Sequence, residues 1–567
     1  MIVKLRRKMM PDVAGSVLVL LCIIYLFAMH VVIVNNGGSG SDLPMPLLVW
    51  ILMLLMIATG FSFFIKRSLY FSPVLRLMIV AAAMMTLPLS WSPHADWRLD
   101  ALPRLGGLWA GILLYALFLN CHFTKGQLRG VFYIIASGAL IQTAYSLLGL
   151  HFPYLLPDFE QQVLHQRPFN VGVFQQRNVT GSFLAVGGGV LLYILNAPLF
   201  LYPGRRANCL RKVLAVSGIV LIYCVLMELQ SRIGWLGGLC VFIGMLIMYG
   251  NKKAAPDVRL LSVLAPLTGI LCGLFLMHGS ISDALHQHDS SNLQRIMILR
   301  ETWQMILLHP VRGWGYGSYV WEFAHYIADR TSPVDAGASV IPHPHNEVLY
   351  WWMEGGVAAL AGIMLLCYAG IKLLFHSSQE NRFAIIICAL PLLLHTQVEY
   401  PFYQSSVHWL TFVLLLSLAD EKKSTQYYSS RETVTRVNVC MVGIIMLAYC
   451  LLSLVAMSLR NQFYLTGFEL HPQNYYKRVL SLPEVGIGSE RLRRVKAEAL
   501  IVDYQQNNNA GQLVLFSSRA ISWLETWNDA DMYDNLIEVS YFLGKQAQGD
   551  SAKKEAARLF VADTRFK

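Results

Sequence analysis

The chain has 567 residues, of which 55% are hydrophobic and only 14% are charged, and its mean hydropathy is +0.47. This composition excludes a soluble enzyme of this size and indicates an all-α, polytopic membrane protein. The formal net charge of +11 does not predict nucleic-acid binding, because the basic residues form short clusters between apolar runs, as the positive-inside rule requires. The ten cysteines show no paired spacing, so neither a disulfide framework nor a zinc site is indicated.

Thirteen apolar runs predict about thirteen transmembrane helices, two of them short. The runs span about residues 14–34, 43–65, 74–89, 102–119, 131–150, 182–202, 213–229, 235–248, 260–277, 348–374, 384–394, 407–418 and 437–459. The first run lacks a small-residue cleavage site, so we interpret it as a membrane helix and not as a removed signal. With the N-terminus on the cytoplasmic side, every lysine before residue 459 falls on that side, which supports this helix count.

The sequence predicts two domains. Residues 1–459 form the transmembrane domain, and its long outer loop, residues 279–346, carries an amphipathic helix at 293–308. Residues 460–567 are expected to form a helical domain on the outer face. Their patterns resemble tetratricopeptide-type hairpins without a clean repeat. Partner recognition and simple packing on the outer face are equally compatible roles for this domain.

The outer loops contain arginine but exclude lysine. The outer arginines are Arg98, Arg104, Arg167, Arg177, Arg232, Arg295, Arg300, Arg312 and Arg330. Arginine keeps its charge when it is partly desolvated, and its planar fork matches phosphate oxygens. The set therefore indicates an anion site, although snorkelling at the membrane interface is an equally good explanation for a single member such as Arg232.

Two histidines precede a membrane helix in the stretch "VIPHPHNEVLYWWMEGG". Pro342 and Pro344 favour extended backbone, and Asn346 is a good N-cap for the helix that follows. His343 and His345 are therefore expected at the membrane surface, where an imidazole can take a proton from a hydroxyl near neutral pH. The alternative is that both histidines are interfacial polar residues at a helix start.

Two further outer segments place polar side chains beside membrane helices. In "VGVFQQRNVTGSF", Gln176, Arg177 and Asn178 lie just before the sixth crossing, and in "HTQVEYPFYQSSVHW", Glu399 lies between two short crossings. A carboxyl group at this depth is costly unless it is paired or hydrated, so we predict a functional role for Glu399 and an outer arginine as its partner. The histidines of the long loop match no metal-site spacing, and no metal ion or other cofactor is predicted.

Four motifs in chain order, "FQQRN", "LQSRIGWLGG", "QRIMILRETWQMILLHPVRGWGYGS" and "HPHNEVLYWWMEGG", resemble the superfamily of O-antigen ligases, O-antigen polymerases and bacterial protein O-oligosaccharyltransferases. The resemblance covers residues 169–409 and implies a glycosyltransferase of the bacterial inner membrane. It further implies that His345 is the general base and that Arg232 and Arg295 hold the donor diphosphate. The tryptophan often found four residues after that second arginine is Leu299 here, which leaves Arg300 open as a helper.

Within the superfamily, "VEYPFY", "FQQRN" and the outer C-terminal domain look most like the PglL-type enzymes. That resemblance implies en bloc transfer of a glycan from undecaprenyl diphosphate to serine or threonine of pilin-like periplasmic proteins. The substrate-binding residues would then be Gln176, Arg177, Asn178, Arg300, His343, Asn346 and Glu399. One alternative is a ligase that joins the glycan to lipid A core, and another is a transporter or flippase of the lipid-linked sugar. No nucleotide is expected, since the chain has no P-loop pattern.

Overall fold

The computed structural model describes residues 12–37, 40–65, 69–166, 169–250, 255–277, 289–330, 341–375, 382–420, 431–484 and 489–567. Every regular element within these ranges is helical, which confirms the predicted all-α class. The α-helices are α1 (Val13–Leu26), α2 (Pro44–Phe64), α3 (Pro73–Thr86), α4 (Ala95–Asn120), α5 (Lys125–His151), α6 (Asp158–Gln166), α7 (Arg177–Asn196), α8 (Arg205–Glu228), α9 (Arg232–Gly250), α10 (Pro256–Leu276), α11 (Asp289–Leu308), α12 (Tyr319–Ala328), α13 (Glu347–Phe375), α14 (Arg382–His395), α15 (Pro401–Gln404), α16 (Ser406–Ala419), α17 (Arg431–Leu470), α18 (Pro472–Leu480), α19 (Ser489–Asn507), α20 (Ala510–Leu524), α21 (Ala530–Phe542) and α22 (Gln546–Leu559).

The helix lengths and composition confirm a polytopic membrane protein. Within the described residues, eleven helical segments are long and apolar enough to span a membrane, and the two shorter apolar helices α14 and α16 coincide with the two short predicted crossings. The exact number of crossings and their orientation stay predictions.

Helix α7 is the centre of the bundle. Almost all of its residues are buried, and it packs against α5, α8, α9 and α14. A Cβ atom at Gly181 would lie 3.1 Å from the Cα of Gly234, so glycine at both positions lets α7 and α9 approach closely near their first turns. The two helix starts therefore lie side by side at one end of the bundle, which is called the site end below.

The long loop is tied to α13 through backbone hydrogen bonds. The Trp314 and Gly315 amides donate to the carbonyls of Met353 and Glu354, both at 2.9 Å. Beside these bonds, Gly356 interrupts α13 with a φ of 63°, a conformation that favours glycine. The "GWGYGS" and "MEGG" motifs thus form one packed junction that fixes the loop close to the start of α13.

The predicted amphipathic helix of the long loop is present as α11. Ile298, Met305 and Ile306 are buried against neighbouring helices, while Leu293 and Ile296 are exposed. One apolar face of α11 thus packs on the protein, and a second is open on the other side. Contact of that second face with the membrane surface stays a prediction.

Helix α17 continues from Arg431 to Leu470 without a break. It therefore crosses the predicted domain boundary between residues 459 and 460, and its last turns pack with α18 and α19. Helices α19 to α22 match the helical patterns that the sequence predicts at about residues 490–505, 511–526, 531–544 and 551–562, whereas α18 was not predicted. The C-terminal helices contact the site end, where Arg493 pairs with Asp100 at 2.7 Å and the Asn528 amide donates to the Val320 carbonyl of the long loop at 2.9 Å.

Candidate functional site

Three helices begin at the site end, and each is capped by a polar side chain. The side-chain oxygens of Gln176, Ser231 and Asn346 accept the backbone N–H three residues further on, at 2.7, 3.1 and 3.0 Å, at the starts of α7, α9 and α13. The Ser231 hydroxyl also donates to the side-chain Oδ1 atom of Asn178 at 2.8 Å, which joins the starts of α7 and α9. Helix N-termini carry partial positive charge, so their grouping favours an anion.

The residue before each cap has an unusual backbone. Gln175, Gln230 and His345 have φ values of 49°, 50° and 57°, in the left-handed region that residues other than glycine rarely adopt. Such conformations persist only where the surrounding structure holds them, and they concentrate at binding and catalytic sites. Because the same backbone conformation precedes all three helix starts, we infer that the loops are held in fixed positions around one site.

Glu399 lies at the centre of this site and is almost fully buried. Its Oε1 atom accepts from Arg295 at 2.9 Å and from Asn178 at 2.7 Å, and its Oε2 atom accepts from Gln176 at 2.8 Å and lies 3.2 Å from His395 Nε2. Burial alone would raise the pKa of Glu399. The hydrogen bond and charge of His395, the charge of Arg295 and the Asn178 hydrogen bond instead lower that pKa to about 2. Glu399 is therefore an anion at neutral pH, and its arginine partner is Arg295.

Three arginines are grouped in the region of this carboxylate. The Arg232 guanidinium donates to the Asn292 side chain at 2.7 Å, in the first turn of α11, and Arg295 follows one turn later on the same helix. Arg177 interacts electrostatically with Arg232, Arg295 and Glu399. Guanidinium groups match phosphate oxygens in shape and charge, so their grouping here suits an anionic ligand.

His345 lies within electrostatic range of Arg295 and Glu399. Burial and the nearby charge of Arg295 lower its pKa to about 4, against the opposing effects of Glu399 and of a hydrogen bond to the Val398 backbone. The ring is therefore neutral at pH 7. Its Nδ1 atom is buried and has no hydrogen-bond partner among the described residues. A neutral imidazole with an unoccupied acceptor nitrogen is the form that a general base requires.

The structure places His343 behind His345 and not on an open surface. Its side chain is 3% exposed and packs against the ring of Tyr400, with 4.4 Å between the ring centroids. The backbone amide of His345 donates to His343 Nδ1 at 2.9 Å, and the Nε2 atom lies 3.3 Å from the Glu347 carboxylate. Because an amide can only donate, Nδ1 is the acceptor and the proton of neutral His343 lies on Nε2. His343 therefore holds the backbone of His345.

The predicted residues thus separate into groups. Gln176, Asn178, Arg295 and Glu399 are joined by direct hydrogen bonds, with Arg177, Arg232 and His345 around them. Asn346 caps α13, as expected for an N-cap. Arg300 is exposed and lies five residues after Arg295, about 140° further around α11, so it is not brought into the cluster.

Sequence reasoning missed three buried side chains beneath Glu399. They are His395, Ser182 and His408, which form a hydrogen-bonded chain. The one sequence signal was the spacing of four between His395 and Glu399 at the end of a short apolar run. In the sequence alone, this spacing does not distinguish His395 from a histidine that is satisfied in an apolar core.

Within the described residues, no group of three or more histidine, cysteine, aspartate or glutamate side chains has the arrangement of a metal site. Three histidines of the long loop, at positions 278, 286 and 288, lie outside the described residues.

Comparisons with known proteins find two family models and a curated relative that are similar to parts of this chain. Residues 217–364 match a family model described as O-antigen ligase, and residues 383–567 match one described as virulence factor membrane-bound polymerase, C-terminal. The chain is also similar to an O-antigen ligase of Salmonella typhimurium, with 28% identity over 193 residues, or 32% of this chain and 46% of that relative. The matched region is therefore less than half of the relative's length. The first family model includes Arg232, Arg295 and His345, and the second includes Glu399 and the C-terminal helices.

Proposed function

We propose that this chain is a membrane glycosyltransferase of the O-antigen ligase and polymerase superfamily, to which its matches point, and that it acts on a glycan carried by undecaprenyl diphosphate. The observation that carries this proposal is the grouping of Arg177, Arg232 and Arg295 with neutral His345 at one end of the bundle. The guanidinium groups supply charge for a diphosphate, and the imidazole supplies a base. The acceptor in this proposal is a serine or threonine hydroxyl of a pilin-like periplasmic protein, to which the glycan is moved en bloc.

In the proposed step, the acceptor oxygen attacks the anomeric carbon of the first sugar. The bond between that carbon and the phosphate oxygen breaks, and undecaprenyl diphosphate leaves with the electron pair. The hydroxyl proton passes to Nδ1 of His345, while Arg232 and Arg295 stabilise the charge on the departing diphosphate. Attack from the face opposite the leaving group inverts the anomeric centre.

Glu399 is not a second base in this scheme, because four donors occupy its carboxylate oxygens and its pKa of about 2 makes it a weak proton acceptor. Its role is to orient the Arg295 fork. The predicted orientation in the bacterial inner membrane, with a cytoplasmic N-terminus, puts this site and the C-terminal helices in the periplasm, where the glycan donor and a secreted acceptor meet.

A second candidate function is that of an O-antigen ligase, which would pass the same glycan to lipid A core. The family model over residues 217–364 and the name of the Salmonella relative favour it. The C-terminal helices favour the protein acceptor, because they lie against the long loop of the site. The Asn528 amide donates to the Val320 carbonyl of that loop, and the Trp321 indole of the loop donates to the Leu524 carbonyl at 3.2 Å. Both functions use one donor and one site and differ in the acceptor.

The test is glycan transfer in cells that make one defined undecaprenyl-diphosphate-linked glycan and contain both a pilin-like protein and free lipid A core. Mass spectrometry is expected to find glycosylated pilin with the intact chain, and none with the His345→Ala or Arg295→Ala variant at equal membrane abundance. Unmodified pilin together with newly capped lipopolysaccharide would select the ligase. A lengthened donor glycan would identify a polymerase, and movement of donor across the membrane without transfer would identify a transporter.

A further inference from the structure

A buried hydrogen-bonded chain of side chains leads away from Glu399. His395, in the last turn of α14, is fully buried, and its Nε2 atom lies 3.2 Å from Glu399 Oε2. Its other ring nitrogen, Nδ1, lies 2.8 Å from the hydroxyl of Ser182 on α7. The His395 ring therefore bridges a helix of the bundle core and the carboxylate at the centre of the site.

The far end of the chain is fixed by the backbone. His408 on α16 lies with Nε2 at 2.9 Å from the Val179 carbonyl and at 3.2 Å from the Ser182 hydroxyl, and with Nδ1 at 2.8 Å from the Ser405 hydroxyl. A carbonyl can only accept, so the proton of neutral His408 lies on Nε2 and Nδ1 accepts from Ser405. This end satisfies its own hydrogen bonds and reaches no open surface.

The other end reaches the site. An anionic carboxylate can only accept, so His395 Nε2 carries a proton and donates to Glu399. The Ser182 hydroxyl beside Nδ1 completes the hydrogen bonding of the ring. Glu399 Oε1 in turn accepts from Arg295, whose side chain is 28% exposed. Burying two imidazoles and two hydroxyls in a helix bundle is costly unless every polar atom is paired.

We infer that His395, supported by Ser182, is a positioning residue for the proposed transfer reaction. Its hydrogen bond to Glu399 Oε2 keeps Oε1 directed toward Arg295. The carboxylate in turn orients the guanidinium group toward the donor diphosphate. Without the His395 hydrogen bond, the Glu399 carboxylate retains Gln176 and Asn178 as partners but is free to rotate, and Arg295 loses its fixed orientation. The inference rests on the proposed function for the nature of the donor.

The test compares Ser182→Ala with Thr180→Ala on the full-length protein. Both variants remove a buried hydroxyl from α7, but the Thr180 hydroxyl donates to the Val171 carbonyl at 3.0 Å and has no part in the chain. We expect Ser182→Ala to raise the KM for the donor, and to lower kcat/KM about tenfold, the order of a lost hydrogen bond that supports a charged group. Thr180→Ala should keep wild-type kcat/KM. Equal kcat/KM for the two variants would overturn the inference.

A second pair of variants tests the route through Glu399. His395→Ala should lower kcat/KM by about tenfold to a hundredfold, and His395→Gln, whose amide still donates, should recover part of it. In a Glu399→Gln background, His395→Ala should have little further effect, because the carboxylate that it holds is gone. A full and equal loss in both backgrounds would show that His395 acts independently of Glu399 and would contradict the inference. If the His395 variants do not accumulate in the membrane, the Ser182→Ala comparison decides.

A binding measurement separates failure of this inference from failure of the proposed function. Undecaprenyl diphosphate itself is the probe, added to the purified protein in detergent. Weaker binding to Ser182→Ala than to Thr180→Ala would support the positioning role even if no acceptor is glycosylated. Equal binding by the two variants, with normal transfer in both, would reject the positioning role and leave the proposed function intact.

Discussion

Two pairs of arginine and glutamate lie at the site end, and they differ in what surrounds the arginine. Arg295 pairs with Glu399, and its side chain is 28% exposed. Arg104 pairs with Glu354, and these side chains are 7% and 0% exposed. The Arg104 guanidinium is also enclosed by three aromatic rings, those of Tyr316, Tyr350 and Trp351, at 4.9, 4.4 and 4.5 Å from their centroids.

The difference separates a binding pair from a structural one. Arg295 can keep Glu399 on one side and meet a new anion on its open side. Arg104 has no open side, and its partner Glu354 also accepts the Tyr319 amide at 3.1 Å, which joins α4, α12 and α13. Charge and residue type are the same in both pairs, so the exposure of the arginine is what distinguishes their roles.

Removing the enclosed arginine should have the largest effect, and the effect should be on folding. Arg104→Leu leaves Glu354 buried without its charge partner, which typically costs about 3 to 5 kcal/mol. We expect a large fall in the melting temperature of the purified protein and in its membrane abundance. The double variant Arg104→Leu with Glu354→Leu should recover much of that loss, because no buried charge remains. A wild-type melting temperature for Arg104→Leu would contradict the comparison.

Removing the open arginine should instead affect catalysis. Arg295→Ala is expected to lower kcat/KM for the donor by about a hundredfold or more, the usual effect of losing one electrostatic contact to the transition state. The fall in melting temperature should be much smaller than for Arg104→Leu, since Glu399 keeps Gln176, Asn178 and His395. Arg295→Lys, which keeps the charge but loses the planar fork, should have a kcat/KM between those of the wild type and Arg295→Ala. Loss of folding in parallel with activity would remove the distinction between the pairs.

The same open arginine sets a pH dependence. Burial and Arg295 hold the pKa of His345 at about 4, so the neutral base persists as pH falls. We expect kcat/KM, which reports the free enzyme, to be nearly equal at pH 7.5 and pH 5.5. A histidine with its ordinary pKa of about 6.5 would lose about tenfold over that interval.

The bound complex should behave differently from the free enzyme. The donor diphosphate offsets the arginine charge, so the pKa of His345 rises on binding, and kcat should begin to fall at a higher pH than kcat/KM. In Arg295→Ala the acid limb of kcat/KM should also move to higher pH. A tenfold fall in wild-type kcat/KM between pH 7.5 and pH 5.5 would show that burial and Arg295 together do not depress this pKa.

Much of the helical framework could be predicted because apolar runs of membrane length leave few alternatives. Helices α2 and α13 begin and end within about two residues of their predicted runs. Helices α4 and α5 begin about six residues before theirs, because Asp96 and Lys125 in their first turns are polar and fell outside the apolar count. The continuation of α17 beyond residue 459 was missed for the same reason: composition changes there but helix propensity does not.

The site could be predicted in part. The side chains at helix starts were found, since a polar loop that runs into an apolar helix is visible in the sequence at Gln176 and at Asn346. The buried chain of His395, Ser182 and His408 was not found, because contacts such as that between Ser182 and His395 join residues more than two hundred positions apart. For the same reason, residue type and loop position alone did not distinguish Arg104 from Arg295 among the outer arginines, and only the family resemblance selected Arg295. Their surroundings in the fold supply the physical difference.

The smallest predicted effect concerns the arginine that shares a helix with Arg295. Arg300 is exposed about 140° around α11 from Arg295, so it should contribute to donor binding only through long-range attraction that salt screens. Arg300→Ala is expected to change kcat/KM by less than about threefold at physiological ionic strength, where exposed charges are worth roughly 0 to 1 kcal/mol. Measured beside Arg295→Ala, it is a matched control, because both remove a guanidinium from α11. A loss in Arg300→Ala as large as that in Arg295→Ala would mean that the donor lies across the exposed face of the helix, and pairing with Glu399 would then no longer mark the arginine that binds the donor.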